Sequence, residues 1–182
     1  MSIPAFAVIT AIGPNRIGIV EELSGIISSF GGSISESRMA VLGGEFAVLM
    51  LVEGAEGQLE GLERTLKGKE STLNLRIELK RTQKPTAPSR GRPYLLETVS
   101  LDTPGIVHAA TALLTRHGID IEELETITLP APWTGAPMFH MRATIILGPE
   151  VSLSQLKADL ALLESERDLD IHLHPAAHPL EE

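Results

Sequence analysis

The sequence predicts an α+β protein of two βαββαβ units, each a four-stranded antiparallel sheet with two helices on one face. Three observations carry that expectation. Asn15 to Arg38 recurs without gaps 87 residues later as Asp102 to Glu125, so that Gly18, Ile19, Val20, Gly31, Ile34 and Glu36 fall on Gly105, Ile106, Val107, Gly118, Ile121 and Glu123. Each copy holds an apolar stripe at helical spacing. The segments around it alternate, or run apolar, as strands do.

Taken in order, Ala5 to Ile12 reads as a buried strand and Gly13 to Ile17 as a turn. The helix from Gly18 to Phe30 carries Ile19, Val20, Leu23, Ile26, Ile27 and Phe30 on one stripe. Asn15 before it and Gly31 after it match ordinary start and stop chemistry. Ser33 to Val41 is weakly patterned and suits an edge strand. Leu42 to Glu45 contains the glycine pair of a hairpin, and Phe46 to Val52 is continuous enough for a central strand. Leu59, Leu62 and Leu66 mark a second helix, and Leu73, Leu75, Ile77 and Leu79 alternate as a closing half-buried strand. The second unit follows in the same sequence: Tyr94 to Leu101, Gly105 to His117, Ile119 to Leu129, Met138 to Leu147, Leu153 to Leu163 and Leu169 to Leu173. Right-handed crossovers would put both helices of a unit on one face and leave the other needing a cover.

An internal repeat of this length in 182 residues divides the chain into domains at 1–80 and 94–182. The joint, 81–93, is rich in proline and basic residues. With Lys80 the segment holds Arg81, Lys84, Arg90 and Arg92 and no acid. At about 3 Å per residue such a connector reaches roughly 40 Å. It is either a solvated linker or a docking strip for an acidic partner or nucleic acid.

Hydrophobic residues at 43% and charged residues at 21% describe a globular chain without a membrane span. No basic stretch precedes the apolar N-terminus, so it reads as the first strand, in a cytoplasmic protein, and not as a leader. The absence of cysteine removes disulfides and thiolate chemistry. A net charge of -9 opposes direct attraction to nucleic acid.

The motif Asp102, Thr103, Pro104, Gly105, Ile106, Val107 resembles the D-x-P-G-(I/V)-(I/V) turn of ACT domains. With the proline-rich hairpin before Met138 and Phe139, the chain is similar over nearly its whole length to the glycine cleavage system transcriptional repressor family. That resemblance implies two ferredoxin-like ACT domains that bind a small amino acid at domain interfaces and bring no catalytic residues and no cofactor. It also implies a protein partner, a transcriptional activator. The alternative is a ligand-independent interaction subunit or scaffold of a metabolic enzyme. A homodimer is expected from free sheet edges.

The candidate ligand residues are Asn15, Arg16, Ile17 and Gly18 in the first turn and Asp102, Thr103, Pro104 and Gly105 in the second. Each turn ends at a helix N-terminus, whose free amides suit a carboxylate, and Asp102 suits an α-ammonium. The first copy departs from the motif, with Asn15 for the acid and Ile17 for the proline. Asn15 and Asp102 equally suit the plainer role of helix caps. An acylphosphatase-like enzyme would use Arg16 as its anion cradle, but the second copy has Thr103 there and the longer glycine-rich turn is missing. The serines lack a placed histidine and acid.

Trp133, within LPAPWTGAP, is either a recognition anchor or a cover for its own domain. His172, His174 and His178 are a metal candidate on strand spacing, against the simpler reading of a frayed tail, and no metal is expected. His117 replaces Phe30 on the stripe and reads as a packing residue, whereas His140 reads as exposed on the sheet.

Overall fold

The structure, a computed structural model, describes residues 4–84 and 91–176. The chain divides into two compact units, Met1–Thr86 and Ala87–Glu182.

The first unit runs β1 (Ala5–Pro14), α1 (Ile19–Ser29), β2 (Ser33–Leu42), β3 (Glu45–Gly54), α2 (Glu56–Leu73) and β4 (Arg76–Thr82). Its strands lie in the order β2-β3-β1-β4, every pair antiparallel. Ala7, Ile9 and Ala11 of β1 stand opposite Val52, Met50 and Val48 of β3. They are buried beneath Ile19, Leu23 and Ile27 of α1 and Leu59, Leu62 and Leu66 of α2. Each such leucine or isoleucine contributes about 1.5–3 kcal/mol by leaving water. Side chains alternate along a strand, so Val8, Thr10 and Leu49 belong to the other, uncovered face. The edge strand β2 is exposed along its whole length.

The second unit repeats the plan with β5 (Arg92–Leu101), α3 (Ile106–Arg116), β6 (Asp120–Pro130), β7 (Pro137–Leu147), α4 (Leu153–Arg167) and β8 (Asp170–Pro175), in the order β6-β7-β5-β8. Leu96, Ala143 and Ile145 are buried with Ile106, Ala110, Leu113 and Leu114 of α3 and Leu156, Leu160 and Leu163 of α4. Both units carry a bulge at the same place in the edge strand, between Ile34 and Glu36 and between Ile121 and Glu123. These are the two tandem ferredoxin-like sheets expected from the repeat.

Several boundaries differ from the sequence reading. Leu73 is the last residue of α2 and not the first of a strand, because Asn74 takes the left-handed conformation (φ 54) that stops the helix. Leu73 fits both periods, the helical step from Leu66 and the alternation with Leu75, so pattern alone could not place it. Asp168 ends α4 the same way. β4 continues through Arg81 and Thr82 and β5 already begins at Arg92, so strand pairing takes both ends of the basic segment. Arg81 lies on Glu56, with Nε 2.9 Å from its carboxylate. Arg90 lies outside the described residues. Val20 is exposed rather than packed. His117 does more than fill space: its Nε2 is 2.9 Å from Asp159 Oδ2, which ties the end of α3 to α4. His140 is half-buried on the uncovered face of β7.

A second shared device closes each unit. The Glu70 carboxylate accepts the Ile77 N–H at 2.8 Å, and Glu164 accepts that of Ile171 at 2.7 Å, so the last helix holds the first turn of the last strand. The Ile77 N–H, and after it Lys67, keep the Glu70 carboxyl below its ordinary value of 4.5. A carboxyl lowered by folding contributes stability that is complete above its unfolded pKa and is lost as pH falls through the folded one. Glu70→Gln is therefore expected to lower the melting temperature near neutral pH, with the gap to the parent protein closing as the medium is acidified below 4.5. Thermal denaturation across a pH series reads this directly, and a gap that stays constant with pH would contradict it.

Candidate functional site

In each unit the central strand must reverse onto the sheet, and it does so in four residues. Asn15 donates its N–H to Gly44 O at 2.9 Å, and Asp102 donates its own to Pro137 O at 2.9 Å, so each turn is anchored to the hairpin beside it. Gly18 (φ 93) and Gly105 (φ 94) follow in the left-handed region and are the N-caps of α1 and α3. Their carbonyls accept the first helical N–H groups, from Glu22 and Ala109, at 2.9 Å.

This geometry corrects the capping role considered for Asn15 and Asp102. Both stand three residues ahead of the N-cap, and neither helix has a side-chain cap. The first amides of α1 and α3 thus lack a side-chain acceptor from the cap residue, the usual way such groups are satisfied. Asp102 Oδ2 instead receives a long hydrogen bond, 3.4 Å, from the Thr128 hydroxyl on β6. Ile17 projects fully into solvent.

The two turns have diverged chemically. In the first, Arg16 does not stand open to an anion. Its Nη1 and Nη2 donate to Glu22 Oε1 and Oε2 at 2.6 and 2.7 Å, and Nη2 also reaches Leu73 O at 3.4 Å. The shared hydrogen bonds hold the Glu22 carboxyl below its ordinary range and raise the Arg16 guanidinium. Glu22 Oε1 lies 3.7 Å from where a side chain on Gly18 would begin. The first turn thus carries an internal carboxylate and an internal cation, each satisfied by the other.

In the second turn Thr103 and Ala109 occupy those positions, and the ion pair is gone. A different cation approaches: Arg167 Nη1, at the end of α4, lies 4.0 Å from the position of a Cβ on Gly105. Arg167 is exposed and makes no hydrogen bond or ion pair among the described residues. Arg167 thus lies beside Gly105, the N-cap of α3, while the carboxylate of Asp102, at the start of the same turn, meets Thr128 on β6. Sequence reasoning missed Thr128 and Arg167, because they come from β6 and α4 and reach the turn only once the unit has folded.

Among the described residues no three metal-ligating side chains converge. His172 Nε2 is 3.4 Å from Asp170 Oδ1 and His174 Nε2 is 3.7 Å from Glu97 Oε2, while His178 lies outside the described residues. No helix there is long and apolar enough to cross a membrane.

Compared with known proteins, residues 5–80 match the family model of the ACT domain. The chain is 35% identical to the glycine cleavage system transcriptional repressor of Escherichia coli over 139 residues, which cover 76% of this chain and 73% of that protein. The same figures hold for the repressor of Shigella flexneri. Among crystal structures it is similar to an unknown protein from Galdieria sulphuraria, with 31% identity and a TM-score of 0.78 over 96% of this chain and 100% of that one. It is also similar to a structure provisionally named a glycine cleavage system transcriptional repressor, with 25% identity and a TM-score of 0.73 over 97% of this chain and 100% of the other.

Because a side chain is strained at the backbone angles of Gly18 and Gly105, Gly18→Ala and Gly105→Ala should each destabilise their unit by about 1–3 kcal/mol. Gly25, inside α1 with nothing beyond its chain neighbours and the helix's own backbone within 4 Å of the place where a side chain would begin, gives the opposite sign. Gly25→Ala should stabilise by up to about 1 kcal/mol. Urea denaturation of the three variants measures both, and equal signs at all three positions would refute the assignment.

Proposed function

Since the chain belongs to the glycine cleavage system transcriptional repressor family of ACT-domain proteins, we propose that it is a non-enzymatic, cytoplasmic regulator. In this reading it senses a small amino acid and controls transcription of amino acid metabolism, glycine cleavage foremost, through a protein partner. Its two regulatory domains are the unit that closes with β4 at Thr82 and the unit that opens with β5 at Arg92, and it works as a homodimer without a cofactor, direct contact with nucleic acid or a membrane.

The observation that carries the ligand reading is the second turn. Zwitterion recognition needs an anion for the ammonium and donors for the carboxylate, set about one small molecule apart. Asp102 supplies the first, while the α3 amides and Arg167 supply the second. Gly105 leaves the backbone accessible because it has no side chain. Thr103 and Pro104 shape the turn. Asn15, Arg16, Ile17 and Gly18 form the corresponding first turn, where a ligand carboxylate would compete with Glu22 for Arg16. The second turn is accordingly the primary site, and the first is weaker or selects a different ligand. Regulation follows by linkage: a ligand that prefers one arrangement of the protein shifts the population able to hold the partner.

A thermal-shift screen of the common amino acids tests this reading. A ligand present at about 100 times its dissociation constant stabilises by about 2.7 kcal/mol. Asp102→Ala and Arg167→Ala are expected to abolish the shift, and Asn15→Ala to leave most of it. No shift with any amino acid would favour the ligand-independent interaction subunit instead.

A further inference from the structure

Trp133 is the chain's single tryptophan, and its side chain is 97% exposed on the hairpin between β6 and β7. It does not fold back over its own unit. The hairpin is nonetheless ordered from within: Ala131 donates to Ala136 O at 2.7 Å, Gly135 donates to Ala131 O at 2.9 Å, and the Thr134 hydroxyl accepts from Ala136. A large aromatic held in water by a short, self-bonded hairpin gains nothing for the fold.

The same end of the sheet is apolar on its uncovered face. Leu101, Met138 and Leu129 are cross-strand partners in one row, and Val99, His140 and Ile127 form the next. Leu101, Ile127 and Leu129 stand 55%, 55% and 46% exposed. Charge begins at the following row, with Glu97, Arg142 and Glu125, and at Asp170 opposite Val99. Arg142 is held by Glu97 at 3.2 Å, so the border carries three carboxylates against one guanidinium, with His172 beside Asp170. β6 adds Asp120 and Glu122 beside Glu125.

We propose that this end of the second unit, with Trp133 as its anchor, is the docking surface for a partner-protein segment that combines apolar side chains with lysine or arginine. The apolar rows receive the first and the acidic border steers the second. The exposed indole face adds a cation–π site for the basic groups. An anionic lipid surface is disfavoured by the same border. The inference rests on the reading that the chain acts through a protein partner, and it adds where and with what chemistry.

Trp133 is its own reporter. The full chain is titrated with a short tryptophan-free peptide of leucine and lysine, and with its analogue in which glutamate replaces lysine, at physiological salt. The lysine peptide should move the tryptophan emission to shorter wavelength and bind about tenfold more tightly than the acidic one. Anisotropy of the labelled peptide should show a loss of about tenfold in Trp133→Ala and in Leu129→Ser. Both side chains are exposed, so the variants should melt with the parent. Equal affinity for the two peptides, or binding indifferent to both substitutions, overturns the surface while leaving a partner-mediated mode of action intact. That mode fails separately, through salt-resistant binding of duplex DNA by the chain itself. An emission shift that follows protein concentration without peptide, together with a sedimenting dimer lost in Trp133→Ala, would assign the surface to a second copy and also overturn the proposal.

Discussion

Each central strand has to reverse and lay a helix back over its own sheet, and only a residue without a side chain makes that bend at low cost. Gly18 and Gly105, at φ 93 and 94, satisfy this constraint. Because the glycine is itself the N-cap, the first helical amides meet no capping side chain, and the side chain at the start of the turn is released from capping. The bend that lets the helix bury Ile19, Leu23 and Ile27, or Ile106, Ala110 and Leu113, is thus the same bend that presents backbone donors at the surface. Under the proposed function, stability and recognition share one local conformation.

Once duplicated, that conformation has been furnished differently. Arg16 and Glu22 close on one another through two short hydrogen bonds in the first unit. Their positions are Thr103 and Ala109 in the second, and the cation comes from Arg167, reached through the fold instead of along the turn. The pair in the first unit is surface-exposed, and exposed pairs contribute little to stability. Its consequence is occupancy: it fills with the protein's own groups a place that holds no such pair in the second unit.

The fold was legible because the repeat placed two elements at once and the alternation of β1 and β3 gave away their buried faces. Boundaries failed where one residue satisfied two periods, as with Leu73, or where a left-handed residue decided the matter, as with Asn74. The site was legible only along the chain. Asn15, Gly18, Asp102 and Gly105 announce themselves by recurrence, but Thr128 and Arg167 have no sequence signal that ties them to the turn. The sense of Asn15 and Asp102 was also hidden, because the helix begins at Ile19 and Ile106, beyond the reach of a cap from those positions. Whether Trp133 covers its unit or faces water depends on hairpin geometry that residue types do not specify.

A carboxylate entering the first turn must take Arg16 from Glu22, or lie beside a charge of its own sign. The Glu22 carboxyl is held below its ordinary range by that same guanidinium, so the competing anion stays charged at neutral pH and yields only in acid. In the second turn no internal carboxylate stands in Ala109's place, and a ligand would meet an Arg167 that has no partner among the described residues. Under the proposed function the asymmetry between the sites therefore follows from one internal competitor, not from a difference in backbone, since the two bends agree within a degree in φ. The duplication copied the scaffold and left the chemistry of each turn to a few side chains, which is why sensing can reside in one unit while both keep the glycine.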